Sequence, residues 1–179
     1  KPFLFFFNHQ SFLDAFVLSS TYPHKVFTNI FHVGASEFFE GSFMRRIAKM
    51  LQIVPVNPDT QLMKAMKAGA IGLKNGKILN IYPEGERAFD GELHEFKKGA
   101  AILATELDLP ILPVALDGLQ NVWARNSWKI RPAKVKIRFG KSFYPKEILT
   151  DSNISAEQKY EIVTAHLKSE IAEMINEMR

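Results

Sequence analysis

The chain of 179 residues is long enough for one domain with a sizeable core, and with 46% apolar and 23% charged residues it is neither disordered nor low in complexity. It contains no cysteine, which excludes disulfide frameworks, thiolate zinc sites, iron–sulfur clusters and cysteine nucleophiles. The net charge of +4 is unevenly placed, because residues 118–146 carry eight basic and no acidic side chains while residues 147–179 are acidic overall. Phe3 to Phe7 is a continuous apolar run that reads as a buried strand covered on both faces. Phe38 to Leu51 places Phe39, Phe43, Ile47, Met50 and Leu51 at helical spacing, with Arg45, Arg46 and Lys49 on other faces, and Ile53 to Val56 reads as a strand. Thr60 is expected to cap a helix that Asn75-Gly76 ends, and Ile78 to Tyr82 supplies the next strand. Gly99 to Leu107 reads as a helix and Ile111 to Leu116 as a strand, and the alternation implies an α/β fold with a mainly parallel sheet. Val135, Ile137 and Phe139 alternate with Lys134, Lys136 and Arg138, so one face of that strand should be wet. Ser155 and Gln158 form a capping box for a closing amphipathic helix carrying Ile162, Val163, Leu167, Ile171, Met174, Ile175 and Met178.

Two clusters have residue types suited to chemistry. His9 and Asp14 are five residues apart; five helical steps turn about 140° past a full turn, and five strand steps point to opposite faces, so neither element pairs them. A strand, turn, helix junction does. Asp14 in the first turns of the helix then accepts the His9 Nδ1 proton and leaves Nε2 as a base. Taken alone, a His beside a strand is more often an ordinary structural residue. The second cluster runs from Ile81 through Tyr82, Pro83, Glu84, Gly85 and Glu86 to Arg87, followed by Asp90-Gly91 and by Phe96 to Ala100. Turns at the carboxyl ends of parallel strands are where such sheets bind ligands; Arg87 offers a planar fork for phosphate, and Lys97 and Lys98 sit at a helix start that also attracts anions. A charged surface loop with local Glu–Arg pairing fits the same residues.

The two clusters in this order, each behind an apolar strand, resemble the glycerolipid acyltransferases. His9 to Asp14 is similar to their H-x4-D motif, Tyr82 to Arg87 to their F-P-E-G-T-R block, Phe96 to Ala100 to its sequel, and Leu112-Pro113-Val114 to a later apolar-Pro-apolar motif. The resemblance covers residues 8 to 114. It implies a mixed, mainly parallel sheet flanked by helices and transfer of an acyl group from acyl-CoA or acyl carrier protein to a hydroxyl of glycerol phosphate or a lysophospholipid. No other cofactor is expected. A thioester is already activated, so the acceptor needs mainly a base and no Ser or Cys nucleophile. His9 is then the base, Asp14 orients it, Arg87 and Lys97 bind acceptor phosphate, Glu84 and Gly85 shape the turn, and Glu84 belongs to the acceptor site by resemblance alone. The chain departs from the family at Glu86, where Thr is expected, at Ala88, where Ser is expected, and at Asn57, where a closing Arg is expected. These departures leave room for an acceptor with another polar headgroup.

Other readings are weaker in the residues themselves. Ser11 has no G-x-S-x-G elbow and reads as a helix-start residue. Asp90, Glu92, His94 and Glu95 match no stated metal spacing, so no metal is assigned. Trp123 and Trp128 lie among Arg125, Lys129 and Arg131, a composition suited to an anionic membrane surface, with a solvated basic edge as the plain alternative and nucleic acid not expected as a partner. No run reaches the roughly 18 residues of a spanning helix, so the expectation is a peripheral protein on the cytoplasmic side of a membrane. Residues 1–179 read as a single domain cut from a longer polypeptide. A non-catalytic lipid-surface or nucleic-acid binding module on the same fold, and a thioester hydrolase, are the alternatives to the acyltransferase.

Overall fold

The computed structural model describes all residues except 36–40, 57–61, 89, 125–126 and 152, with the backbone alone for Ala35, Leu62 and Met63. Strand β1 (Leu4–Phe7) is buried throughout, as a continuous apolar run requires when a strand has layers on both sides. It is followed by α1 (Asp14–Thr21), α2 (His24–Phe27), β2 (Ile30–Ala35), α3 (Ser42–Met50), β3 (Ile53–Val56), α4 (Leu62–Lys74) and β4 (Ile78–Ile81). Then come α5 (Gly99–Glu106), β5 (Ile111–Asp117), α6 (Leu119–Val122), β6 (Lys136–Phe139), α7 (Pro145–Ile148) and α8 (Ala156–Met178). The six strands form one sheet in the order β3-β2-β4-β1-β5-β6, all parallel except that β6 runs against β5. This is the α/β, mainly parallel, mixed sheet expected.

Side-chain alternation along β1 divides the core into two layers. Leu4 and Phe6 join Leu79, Ile111 and the buried faces of α5 and α8 on one side. Phe5 and Phe7 join Leu18 of α1, Ile30, Ile78 and Val114 on the other. Burying each such side chain contributes about 1.5–3 kcal/mol, which makes β1 the axis of the fold. Close packing also explains a glycine inside α4: a Cβ on Gly72 would lie 2.2 Å from the Phe31 ring, so only glycine lets the helix pass over β2. Helix α8 begins at the expected capping box, with Gln158 N–H donating to Ser155 Oγ at 3.2 Å and Ser155 N–H to Gln158 Oε1 at 2.8 Å.

Three expectations about packing need correction. Helix α3 starts at Ser42, and Phe43 and Met50 are 71% and 55% exposed; its buried residue is Ala48, followed by Leu51 just beyond the helix. The helix lies beside β3, a sheet edge, and among the described residues no layer covers the apolar stripe; Phe38, Phe39 and the cap residue Thr60 lie outside the described residues. Phe139 and Ile162 are likewise exposed, the first because β6 is the other edge. Strand β2 was not among the expected elements.

Inside the sheet, His32 of β2 and Asn80 of β4 are cross-strand partners, both buried, with Asn80 Nδ2 donating to His32 Nε2 at 3.4 Å. Burial pushes the His32 imidazole from its ordinary 6.5 down to about 4. The unfolded chain therefore takes up a proton as pH falls through 6.5 and the folded chain does not until about 4. Stability from the neutral ring is complete above the unfolded value and declines as pH falls through that window, by up to about 3 kcal/mol. The melting temperature should fall more steeply between these pH values in the unmodified protein than in His32→Leu; parallel curves would assign the acid sensitivity to other groups.

Candidate active site

Because β1 and β4 are neighbours, the turns that follow them lie side by side at the carboxyl edge of the sheet. Where β1 ends, the Asn8 side chain continues the ladder: its Nδ2 donates to Leu116 O at 2.9 Å and its Oδ1 accepts from Leu116 N–H at 2.8 Å. Gln10 Oε1 accepts from Leu119 N–H at 3.2 Å, and Ser11 Oγ donates to Trp123 O at 3.0 Å. The turn is thus fastened to β5 and α6 on both sides of His9. His9 itself is held by the second turn, since its N–H donates to Glu84 Oε1 at 2.7 Å and its carbonyl accepts from Ala88 N–H at 2.8 Å.

Asp14, the first residue of α1, is fully buried and accepts three hydrogen bonds, from His9 Nδ1 at 2.7 Å, Gln10 N–H at 2.8 Å and Ser11 N–H at 3.0 Å. A carboxylate can only accept, so Nδ1 carries a proton, and in the neutral ring Nε2 is then the nitrogen with the lone pair. The His9 side chain is 21% exposed, in contrast to the fully buried Asp14. The ring also stacks on Tyr82, with centroids 4.2 Å apart and planes 26° from parallel.

The sequence-predicted residues of the second turn fall into two groups. Glu84 is buried, with its oxygens on the backbone N–H groups of His9 and His94 (3.2 Å for the second); burial pushes its carboxyl up, against the lowering effect of those two donors. Gly85 has φ of +75°, a backbone conformation that favours glycine, and the Lys97 side chain crosses over it, its Nζ 2.6 Å from where a Cβ would lie. Lys97 N–H donates to Pro83 O at 2.8 Å, which fixes the crossing. Arg87 follows in the same turn and is half-buried, and Glu86 beside it is exposed.

Lys98 does not share the anion-binding position expected for it. Its ammonium pairs with Glu157 and, at 2.8 Å, with Glu161 of α8, because one step along the chain turns it from the site to the packed helix. In the acidic loop, Asp90 accepts from His94 Nε2 at 2.8 Å and Glu95 pairs with Lys168 at 2.6 Å. The basic segment is partly consumed in the same way: Lys146 pairs with Asp108, Arg138 with Glu177, and Lys136 donates to Met178 O. Trp123 packs on Phe12 and donates to Ser127 O at 2.7 Å, leaving Trp128, 85% exposed, as the tryptophan at the surface. Lys129, Arg131, Lys134 and Lys141 are exposed around it in sequence; Arg125 and Asn57 lie outside the described residues. Among the described residues no helix is long and apolar enough to cross a membrane.

Comparison with known proteins gives a consistent set of likenesses. The sequence model of a family described as Acyltransferase matches residues 1–117. A 1-acyl-sn-glycerol-3-phosphate acyltransferase of Cocos nucifera is 28% identical over 135 residues, covering 74% of this chain and 42% of that protein. Its counterpart in Pseudomonas aeruginosa is 27% identical over 147 residues, covering 80% and 55%. The chloroplastic LPAT1 of Arabidopsis thaliana is 32% identical over 129 residues, covering 70% and 35%. The chain therefore spans about a third to a half of the curated relatives it matches. The crystal structure of the 1-acyl-sn-glycerophosphate acyltransferase PlsC from Thermotoga maritima superimposes with a TM-score of 0.75 at 24% identity, over 97% of this chain and 66% of that one, and shows the shared fold.

Proposed function

The chain belongs to the acyltransferase family, and from that premise we propose that it transfers a fatty acyl group from a thioester, acyl-CoA or acyl carrier protein, to the free hydroxyl of a lysophospholipid. The observation that carries this reading is the His9–Asp14 pair at 2.7 Å, with Nε2 the ring nitrogen left to act as base. In the proposed reaction Nε2 takes the acceptor's hydroxyl proton as the oxygen attacks the thioester carbonyl. Asp14 stabilises the imidazolium that forms. The tetrahedral intermediate then collapses, the C–S bond breaks, and the departing thiolate takes the proton back from Nε2. No covalent acyl-enzyme is needed, in keeping with a chain that has no cysteine and no serine elbow.

The relatives are named for 1-acylglycerol 3-phosphate, and by that likeness we take lysophosphatidic acid as the leading acceptor. Lys97, crossing Gly85, and Arg87, two residues further on, supply cationic groups for its phosphate. Such an acceptor resides in a bilayer. Trp128 with Lys129, Arg131, Lys134 and Lys141 is the surface we assign to an anionic interface, where each nearby basic side chain contributes about 1 kcal/mol.

The test is to supply labelled acyl-CoA with lysophosphatidic acid and other lysolipids, in neutral and in anionic vesicles, and to identify products by mass. The expected product is diacylated phosphatidic acid, formed faster on anionic vesicles and slowed by salt. Free fatty acid as the sole product would make the protein a thioester hydrolase, and no turnover with any acceptor or donor would leave a binding module.

A further inference from the structure

Tyr82 stands where the chain leaves β4, and the pleat decides what it touches. Along β4, Ile78 and Tyr82 face the core layer that holds α1, and along β1 the residues Phe5 and Phe7 do the same. The parallel register sets Phe5 beside Asn80, so two residues further on Phe7 comes beside Tyr82, with ring centroids 6.0 Å apart. His9, one more pleat along, meets the face of the Tyr82 ring at 4.2 Å. On the opposite flank the His32 ring lies 6.5 Å from Tyr82 and within 17° of parallel. Tyr82 is therefore itself confined between residues of β1 and β2.

This stack does something the Asp14 hydrogen bond does not. A single hydrogen bond restrains Nδ1 but leaves the imidazole some pivot through its χ1 and χ2 torsions, and that play is larger at the far nitrogen Nε2 than at Nδ1. An aromatic face against the ring removes the pivot. It also offers its negative π-surface to the imidazolium that forms during turnover. The phenolic hydroxyl has no part in this. It is buried and has no hydrogen-bond partner among the described residues, as is true of His32 Nδ1 nearby. Burial holds the phenol well above its usual range, so the ring stays neutral.

We infer that Tyr82 is a positioning residue that fixes the plane of the His9 imidazole through its aromatic face, the hydroxyl being dispensable. The inference rests on the reading of His9 as the base of an acyl transfer. It goes beyond that reading in naming what orients the base besides Asp14.

The experiment compares the unmodified protein with Tyr82→Phe and Tyr82→Leu, by steady-state acyl transfer from acyl-CoA to lysophosphatidic acid and by NMR of the ¹⁵N-labelled histidine rings. Tyr82→Leu should lower kcat roughly 3- to 30-fold with both KM values unchanged. Tyr82→Phe should stay within about twofold of the parent. In the spectra, the His9 ring signals should shift in Tyr82→Leu and hold in Tyr82→Phe. If Tyr82→Leu fails to fold by circular dichroism, Tyr82→Met carries the same comparison. Unchanged kcat in the ring-free variant overturns the inference, as does a Tyr82→Phe variant that falls with it, which would make the hydroxyl the operative group. If the unmodified protein transfers no acyl group, the proposed function fails by itself and the spectra decide alone: His9 signals unmoved by Tyr82→Leu then refute the positioning role.

Discussion

His9→Ala should lower kcat for acyl transfer by roughly 10²- to 10⁴-fold, the usual size of a general-base contribution, with the fold and melting temperature nearly unchanged. The structure explains why chemistry and folding separate at this residue. The main-chain bonds of His9 to Glu84 and Ala88 do not depend on its ring. Asp14 loses one of three donors and keeps the Gln10 and Ser11 amides, so no unpaired buried carboxylate is created. The space vacated lies between Tyr82 and Asp14, and added imidazole should restore part of the lost rate. Turnover within a fewfold of the parent would remove His9 from the mechanism.

Asp14→Asn should be as damaging to catalysis, at up to about 10⁴-fold, and should also cost about 1–3 kcal/mol of stability. The substitution changes no volume. It replaces an oxygen by an NH₂ group at a position where three donors converge, so at least one of His9 Nδ1–H, Gln10 N–H and Ser11 N–H loses its acceptor. The imidazole can regain a partner by moving its proton to Nε2 and accepting at Nδ1, but the nitrogen facing the substrate is then no longer a base. Rates measured beside thermal melts separate the two effects. A variant with lowered melting temperature and normal kcat would make Asp14 a turn-stabilising residue only.

The amino-acid sequence made some of this legible and not the rest, for physical reasons. Apolar runs such as Phe3 to Phe7 and the Ser155–Gln158 box with the periodicity beyond it carry strong local signals, and the structure has the elements there. Strand β2 escaped because His32 and Gly34 interrupt its apolar pattern; His32 is tolerated there through a cross-strand partner that lies 48 residues away. The stripe on α3 was visible, but periodicity reports an apolar face and not whether a layer covers it. At the site, His9 and Asp14 were paired in advance because their spacing admits one kind of junction. Lys97 was singled out through the resemblance, whereas the helix start alone treats Lys97 and Lys98 alike; one step along the chain sends the first across Gly85 and the second to α8. The backbone clamp by Glu84 and the stack of Tyr82 depend on strand register, which no local pattern encodes.

The fastening of the His9 turn also bears on how the protein comes into being. Glu84 reaches His9 across 75 residues of chain, and Leu116 reaches Asn8 across 108. Both attachments are non-local, so their loop-closure entropy must be met before either contact forms, and such contacts are late and slow to assemble. A growing chain that has emerged as far as β4 holds every residue of the H-x4-D motif and none of the partners of Asn8, Gln10 and Ser11 on β5 and beyond. The anchored geometry of the His9 turn is thus a property of the finished sheet, and a chain still being made does not yet hold it.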